Sequence, residues 1–115
     1  MHTPLRSIVM FSVAALLGAV GQYLYKEGAR LPMPHAAAWL TNWRIGAGIV
    51  CYVAVMVLFV AAFKAGGQLT VLYPLYAGTF IWALLIGRLF LGENITLSKI
   101  AGVGAIIVGM VLIAR

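Results

Sequence analysis

Two polar residues at the end of the first apolar run of this sequence could bind a ligand. Gln22 and Lys26 stand one helical turn apart, in line with the small residues Ala14 and Gly18. Gln22 can donate and accept hydrogen bonds, and Lys26 carries a cation on a flexible stem. Polar groups at membrane depth usually face protein or a wet cavity. We therefore predict either a helix–helix hydrogen bond or a cavity at Gln22, with Lys26 at its mouth.

The third apolar run supplies the other candidates. Tyr73 and Tyr76 open it, and their rings can pack against apolar matter while the hydroxyls bond a ligand. The same residues could instead form an aromatic belt at the membrane surface. Arg88, near the end of the run, could bind a phosphate, extend to the surface or pair with Glu93.

Catalytic and metal-binding residues are not expected. The sequence has no Asp, and its two Glu, Glu27 and Glu93, are far apart in sequence. His2 and His35 lie outside the apolar runs, and Cys51 is a single cysteine inside one. These residues offer no nucleophile–base pair and no ligand cluster, so we predict neither an enzyme nor a cofactor.

The composition predicts a chain that lies mostly in a lipid bilayer. Its 115 residues allow one domain, residues 1–115, and 64% of them are hydrophobic while only 9% are charged. Soluble domains average about 45–50% apolar and about 25% charged residues. The balance excludes an ordinary soluble protein, a disordered chain and a nucleic-acid-binding module.

Four apolar runs, residues 7–25, 45–63, 69–91 and 97–114, carry this hydrophobicity. Each approaches the roughly 20 residues that a helix needs to cross a bilayer, and none alternates as barrel strands do. The first is longer than the core of a signal peptide, about 7–15 residues, so we expect it to be retained. The sequence predicts an all-α integral membrane protein with four transmembrane helices.

The net charge of +6 results from eight Lys and Arg residues against two Glu. The cations lie at or near the ends of the apolar runs, where they can contact lipid headgroups. They are Arg6, Lys26, Arg30, Arg44, Lys64, Arg88, Lys99 and Arg115. Such scattered charges do not form the basic patch of a nucleic-acid-binding protein.

Residues in the connections predict where the helices begin and end. Pro32 and Pro34 should end the first helix, ahead of a short interfacial helix with Trp39 and Trp43 at headgroup depth. Pro74 should kink the third helix.

Two further features concern the later helices. Gly66-Gly67 should end the second helix, and Thr96 should cap the fourth. Ala101, Ala105 and Gly109 form a stripe of small residues on the fourth helix, for packing within the chain or against another subunit.

The order of these motifs resembles the drug/metabolite transporter superfamily and its EamA-like four-helix members. Nearly the whole chain takes part in the resemblance. The matching segments are Gly21-Gln22 with Lys26, Tyr73-Pro74-Leu75, residues 91–96, and residues 99–109 with their glycines. The resemblance implies a bundle like that of the small multidrug resistance exporters, in the bacterial inner membrane.

Within that superfamily the sequence is most similar to Arn-type subunits, which flip aminoarabinose carried on undecaprenyl phosphate. The resemblance implies a homodimer or heterodimer that moves a polyprenyl-phosphate-linked sugar or a related anionic lipid. Gln22 and Lys26 would then contact the headgroup, Tyr73 and Tyr76 would line the cavity, and Arg88 would assist. A net charge of +6, with no acid inside the spans, also suits an anionic lipid better than a cation.

Two alternatives remain open. The small multidrug resistance exporters carry a membrane-embedded Glu where this sequence has Gly18. An exporter of cations or small metabolites would therefore need its coupling carboxylate elsewhere. A membrane subunit that scaffolds a partner without transport is the other alternative.

Overall fold

The computed structural model describes the backbone of residues 3–114 and the side chains of residues 3–113. His2 and Arg115 lie outside the described residues. In the described part the chain is all-helical, as the sequence predicts. Its helices are α1 (Leu5–Ala29), α2 (Ala36–Thr41), α3 (Trp43–Lys64), α4 (Leu69–Tyr76), α5 (Thr79–Phe90) and α6 (Leu97–Ala114).

Three helical stretches are long and apolar enough to cross a membrane. They are α1, α3 and the stretch Leu69–Phe90, which comprises α4 and α5, with mean hydropathies of 1.7, 2.6 and 1.8. The fourth predicted span is also an apolar helix, but Leu97–Ile113 is shorter than the others. The described chain thus has the helices of a membrane protein.

Hydrogen bonds at both ends align α1 antiparallel to α3. Near the start of α1, the buried Ser7 hydroxyl donates to the carbonyl oxygen of Ala62, at 2.8 Å. Near the end of α1, the Asn42 side-chain amide donates to the carbonyl oxygen of Gly28, at 2.9 Å. These bonds satisfy polar groups that would otherwise be costly in an apolar surrounding.

Aromatic packing fills the core between α1, α3 and α4. Phe11 is fully buried, stacks on Phe59 with ring centroids 4.4 Å apart, and meets the edge of Phe63. Ala62 and Leu72 complete this cluster. Since stacked and edge-on rings add to the energy of apolar contact, the cluster holds the start of α1 against its neighbours.

The third predicted helix is broken, as Pro74 indicates, but the break lies beyond the proline. Pro74 lies inside α4, and the helix is interrupted at Ala77 and Gly78. The Ala77 amide donates to the Pro74 carbonyl and the Gly78 amide to the Leu75 carbonyl, both at 3.0 Å. These tighter turns satisfy the carbonyls where the regular pattern stops.

The predicted helix ends are largely confirmed. Helix α1 stops at Ala29, before Pro32, and α2 forms where the interfacial helix was expected. Gly66 ends α3 with a positive φ of 108°, a conformation that glycine adopts without strain. The Lys99 amide donates to the Thr96 hydroxyl at 3.2 Å, so Thr96 caps α6.

Helix α6 packs mainly on α4, and its small-residue stripe faces away from the chain. Ala101 and Ala105 are exposed, and no atom lies within 4 Å of the place where a Cβ on Gly109 would stand. Packing of this stripe within the chain, one of the two expectations, is therefore wrong. A subunit interface remains a prediction.

Candidate functional site

A cavity of about 160 Å³ between the end of α1 and α5 brings together Gln22 and Lys26. Ala19 and Ala83 contribute to its walls, and their small side chains leave the space open. Glu93 reaches the same cavity from the loop between α5 and α6. The cavity therefore holds an amide, a cation and a carboxylate.

Lys26 and Glu93 form an ion pair across the cavity. Their side chains are 50% and 45% exposed, so a ligand can reach both. The Glu93 amide donates to the Gly87 carbonyl at 2.9 Å, which folds the loop back onto α5. A Cβ on Gly87 would lie 2.6 Å from Glu93 Oε1, so glycine at this position makes room for the carboxylate.

The environment of Glu93 favours its ionised form. A hydrogen bond from Lys26, followed by the charge of Lys26, lowers the pKa of Glu93, and the charges of Lys99 and Arg30 lower it further. Glu93 is therefore a carboxylate at neutral pH. An anionic ligand must displace it from Lys26, whereas a cationic ligand must displace Lys26 from it.

Gln22 is oriented by a chain of hydrogen bonds that leads to α3. Its Nε2 donates to the Tyr52 hydroxyl at 2.6 Å, and this hydroxyl donates to the Gly18 carbonyl at 3.2 Å. The single hydroxyl proton of Tyr52 is used on the carbonyl, so Gln22 must be the donor to Tyr52. Its Oε1 is then left to accept a hydrogen bond from a ligand.

Tyr76, on α4, contacts Gly18 of α1 and does not line the cavity that Gln22 and Lys26 share. A Cβ on Gly18 would overlap the Tyr76 hydroxyl, and the Tyr76 ring meets Phe59 edge-on with centroids 4.9 Å apart. The resemblance places the exporters' carboxylate at Gly18. A tyrosine hydroxyl fills that place in this chain.

The remaining two candidates point outward. Tyr73 is 64% exposed, and Arg88 is exposed on α5. Neither lines the cavity that Gln22 and Lys26 share. The expected alternative in which Arg88 pairs with Glu93 is wrong, because Lys26 takes that carboxylate.

Sequence reasoning missed Glu93 and Tyr52 as parts of this site. Glu93 lies in the loop outside the helices, as expected, but its side chain contacts Lys26 at the end of α1. In an up-and-down bundle the first and third helices end on the same side, which could have indicated the Lys26–Glu93 pair. Tyr52, a phenol within the second apolar run, could have suggested a partner for Gln22.

Comparison with known proteins gives one relative and no activity. No family model matches the chain, and no solved structure matches it. The chain is 32% identical to the uncharacterized protein y4nH of Sinorhizobium fredii, over 94% of each chain. The matched region covers nearly the whole chain. The chain therefore belongs to the same family as y4nH.

Proposed function

We propose that the protein is a subunit of a membrane transporter that moves a polyprenyl-phosphate-linked sugar or a related anionic lipid. Its four apolar helices would all cross the inner membrane of a bacterium. The observation that carries the proposal is the half-exposed Lys26 in a cavity beside α5. A polar cluster kept open in so apolar a chain indicates function, since such groups are costly to retain at a membrane.

The geometry supports an exchange of partners at Lys26. A phosphate group approaches Lys26 and takes the place of the Glu93 carboxylate. Glu93 belongs to a six-residue loop, residues 91–96, that can carry its side chain away. Lys26 therefore has a negative partner both with and without ligand, which avoids an unpaired charge near the apolar region.

The acceptor at Gln22 supports a headgroup with hydroxyl groups. Gln22 Oε1 lacks a protein partner within the described residues, because Nε2 is the atom that bonds Tyr52. A sugar hydroxyl beside the phosphate could donate to it. Lys26 then recognises the phosphate and Gln22 the sugar, which specifies the contact of both residues with the headgroup that the resemblance implies.

A dimer supplies what one chain lacks. The polar cavity lies open on a chain only 18 Å thick along its shortest axis. A second subunit, identical or similar, would close the open side of the path. We expect the energy for transport to come from a gradient or from consumption of the product.

One observation favours a second function, the export of cations. The ionised Glu93 puts a carboxylate in the cavity. A carboxylate is the group that the small multidrug resistance exporters carry and that this sequence lacks at Gly18. A cationic ligand could displace Lys26 and bind Glu93. The same cavity would then serve cargo of the opposite charge.

Binding measured in lipid nanodiscs tests the proposal. Lys26→Ala should weaken binding of undecaprenyl phosphate about 10- to 100-fold, the effect of losing a hydrogen bond to a charged group, about 1.5–3 kcal/mol. Lys64→Ala is the matched control, because Lys64 is an exposed cation at the end of α3. It should leave binding unchanged.

The outcomes separate the candidate functions. If the wild type and Lys26→Ala bind undecaprenyl phosphate with the same affinity, Lys26 is not an anion site. Tight binding of a quaternary amine instead supports the cation exporter, and binding of neither probe supports a scaffold subunit.

A further inference from the structure

Two apolar cavities lie nearer the start of α1 than the polar cavity does. The first is about 200 Å³ and is lined by Ile8, Val71, Leu75, Ile107, Met110 and Val111. The second is about 260 Å³ and shares Leu75 and Met110 with the first. These two neighbouring cavities lie between α1, the α4–α5 stretch and α6, and together they are here called the apolar groove.

The apolar groove and the polar cavity lie on the same face of α1. Spacings of three and four residues keep side chains on one face of a helix. The residues of α1 that border the spaces follow this spacing: Ile8, Ser12, Ala15, Ala19, Gln22 and Lys26. From residue 8 to residue 26 the face is about 27 Å long, at about 1.5 Å per residue. This approaches the roughly 30 Å thickness of a bilayer's hydrocarbon core.

The lining of the apolar groove is largely apolar, and Ser12 and Trp82 are the lining residues whose side chains carry a polar group. The first cavity is lined by apolar side chains throughout. In the second, the Ser12 hydroxyl donates to the carbonyl of Ile8 at 2.8 Å. At the helix break, the Leu75 and Gly78 carbonyls accept from the amides of Gly78 and Ile81, each at 3.0 Å. A hydrocarbon chain suits so apolar a surface.

We infer that the apolar groove holds the hydrocarbon chain of an amphiphile whose anionic head binds at Lys26. This inference rests on the proposed function and adds a site for the lipid's tail. Charged groups stand at one end of the α1 face and apolar side chains along the rest, which matches the shape and polarity of a single-chain lipid phosphate.

The groove would bind a lipid tail through close packing rather than through the hydrophobic effect. A lipid tail leaves surroundings that are as apolar as the groove, so the gain comes from close packing. Filling the groove should therefore weaken binding only about three- to tenfold, a much smaller effect than loss of the charge at Lys26.

Trp82 provides a probe of the groove, since its side chain lines the second cavity. The chain has three tryptophans, so a variant with Trp39→Phe and Trp43→Phe retains Trp82 alone. The probe is hexadecyl phosphate brominated on mid-chain carbons, added to the protein in phosphatidylcholine vesicles. Bromine quenches tryptophan on contact, so we expect saturable quenching that unlabelled hexadecyl phosphate reverses.

Two substitutions in that background separate tail from head. Ser12→Phe puts a ring into the groove from an exposed position on α1, and should weaken the saturable quenching three- to tenfold. Val13→Phe, on the neighbouring exposed face, is the matched control and should leave it unchanged. Lys26→Ala should weaken binding of the probe through its head.

The outcomes distinguish the inference from the proposed function. Lys26-dependent binding, followed by phosphorus NMR, without saturable quenching of Trp82 overturns the groove and leaves the anion site standing. Equal quenching by brominated phosphatidylcholine at the same mole fraction makes the groove an ordinary boundary-lipid contact and also overturns the inference. If neither brominated hexadecyl phosphate nor brominated phosphatidylcholine quenches Trp82, a second copy of the chain covers the groove and the inference is overturned. Binding of neither head nor tail overturns both proposals.

Discussion

At the scale of single residues, the site depends on a pair of charges that are both accessible. Lys26 lies in the last turn of α1, Glu93 lies in the loop between α5 and α6, and the two charges neutralise each other. An exposed ion pair contributes little stability, so its value is that either partner can be exchanged for a ligand. Gly87 has no side chain where the Glu93 carboxylate lies, which lets the loop fold back over α5.

The lowered pKa of Glu93 predicts how this loop responds to acid. The usual value is 4.5, and Lys26 holds the pKa of Glu93 below it in the folded chain. The pair therefore stabilises the folded loop above about pH 4.5, and this contribution is lost as pH falls through the lowered pKa. The protection of the amides of residues 91–96 against hydrogen exchange, taken relative to their intrinsic exchange rate at each pH, should fall over that range.

Glu93→Gln provides the control for this prediction. It removes the titrating group, so exchange in the loop should no longer change with pH through that group. A wild-type loop whose protection is the same at pH 7 and pH 3 would contradict the assignment.

At the scale of elements, α1 is held between α3 and the α4–α5 stretch, and each of its faces has a separate role. One face packs through Phe11 and small residues against α3. The other borders the cavities. Ser7 supports the packed face, because its buried hydroxyl bonds the carbonyl of Ala62 on α3.

Ser7→Ala should destabilise the protein by about 0.5–1.5 kcal/mol, the usual net value of one hydrogen bond, including those between membrane helices. Ser12→Ala is its matched control, since Ser12 is exposed and bonds its own helix. Unfolding by denaturing detergent measures both variants. Equal stabilities would show that the Ser7 bond does not hold α1 to α3.

Much of the helical architecture could be predicted from the sequence, because long apolar runs in lipid can only be helices. Pro32, Gly66 and Thr96 also indicated helix ends that the structure confirms. The break near Pro74 lies further along the chain than expected, at Ala77 and Gly78. The Lys26–Glu93 and Gln22–Tyr52 pairs could not be predicted from local sequence, because each joins residues 30 or more positions apart.

At the scale of the whole molecule, the outward face of α6 is exposed and could pack against another subunit. Helix α6 keeps its small-residue stripe outward, and space is vacant beside Gly109. Small residues let membrane helices approach closely, so this face suits another subunit. A second chain would also help to enclose the path that the proposed function requires.

Gly109→Leu should therefore reduce the dimer fraction in vesicles, measured by energy transfer between labelled copies. Gly46→Leu is its control, because the space beside Gly46 on α3 is also vacant. A loss of several-fold in association is expected for Gly109→Leu alone, since a large side chain keeps the helices apart. Equal energy transfer in both variants would place the subunit interface elsewhere.

The exchange of partners at Lys26 is tested most directly by the affinity of Glu93→Gln for undecaprenyl phosphate, compared with that of the wild type. Removing the competing carboxylate frees Lys26 for phosphate, so the variant should bind several-fold more tightly while Lys26→Ala binds more weakly. Opposite effects of these two substitutions are what a displaceable ion pair predicts. Weaker binding by both variants would show that the pair only supports the fold, and would contradict the account.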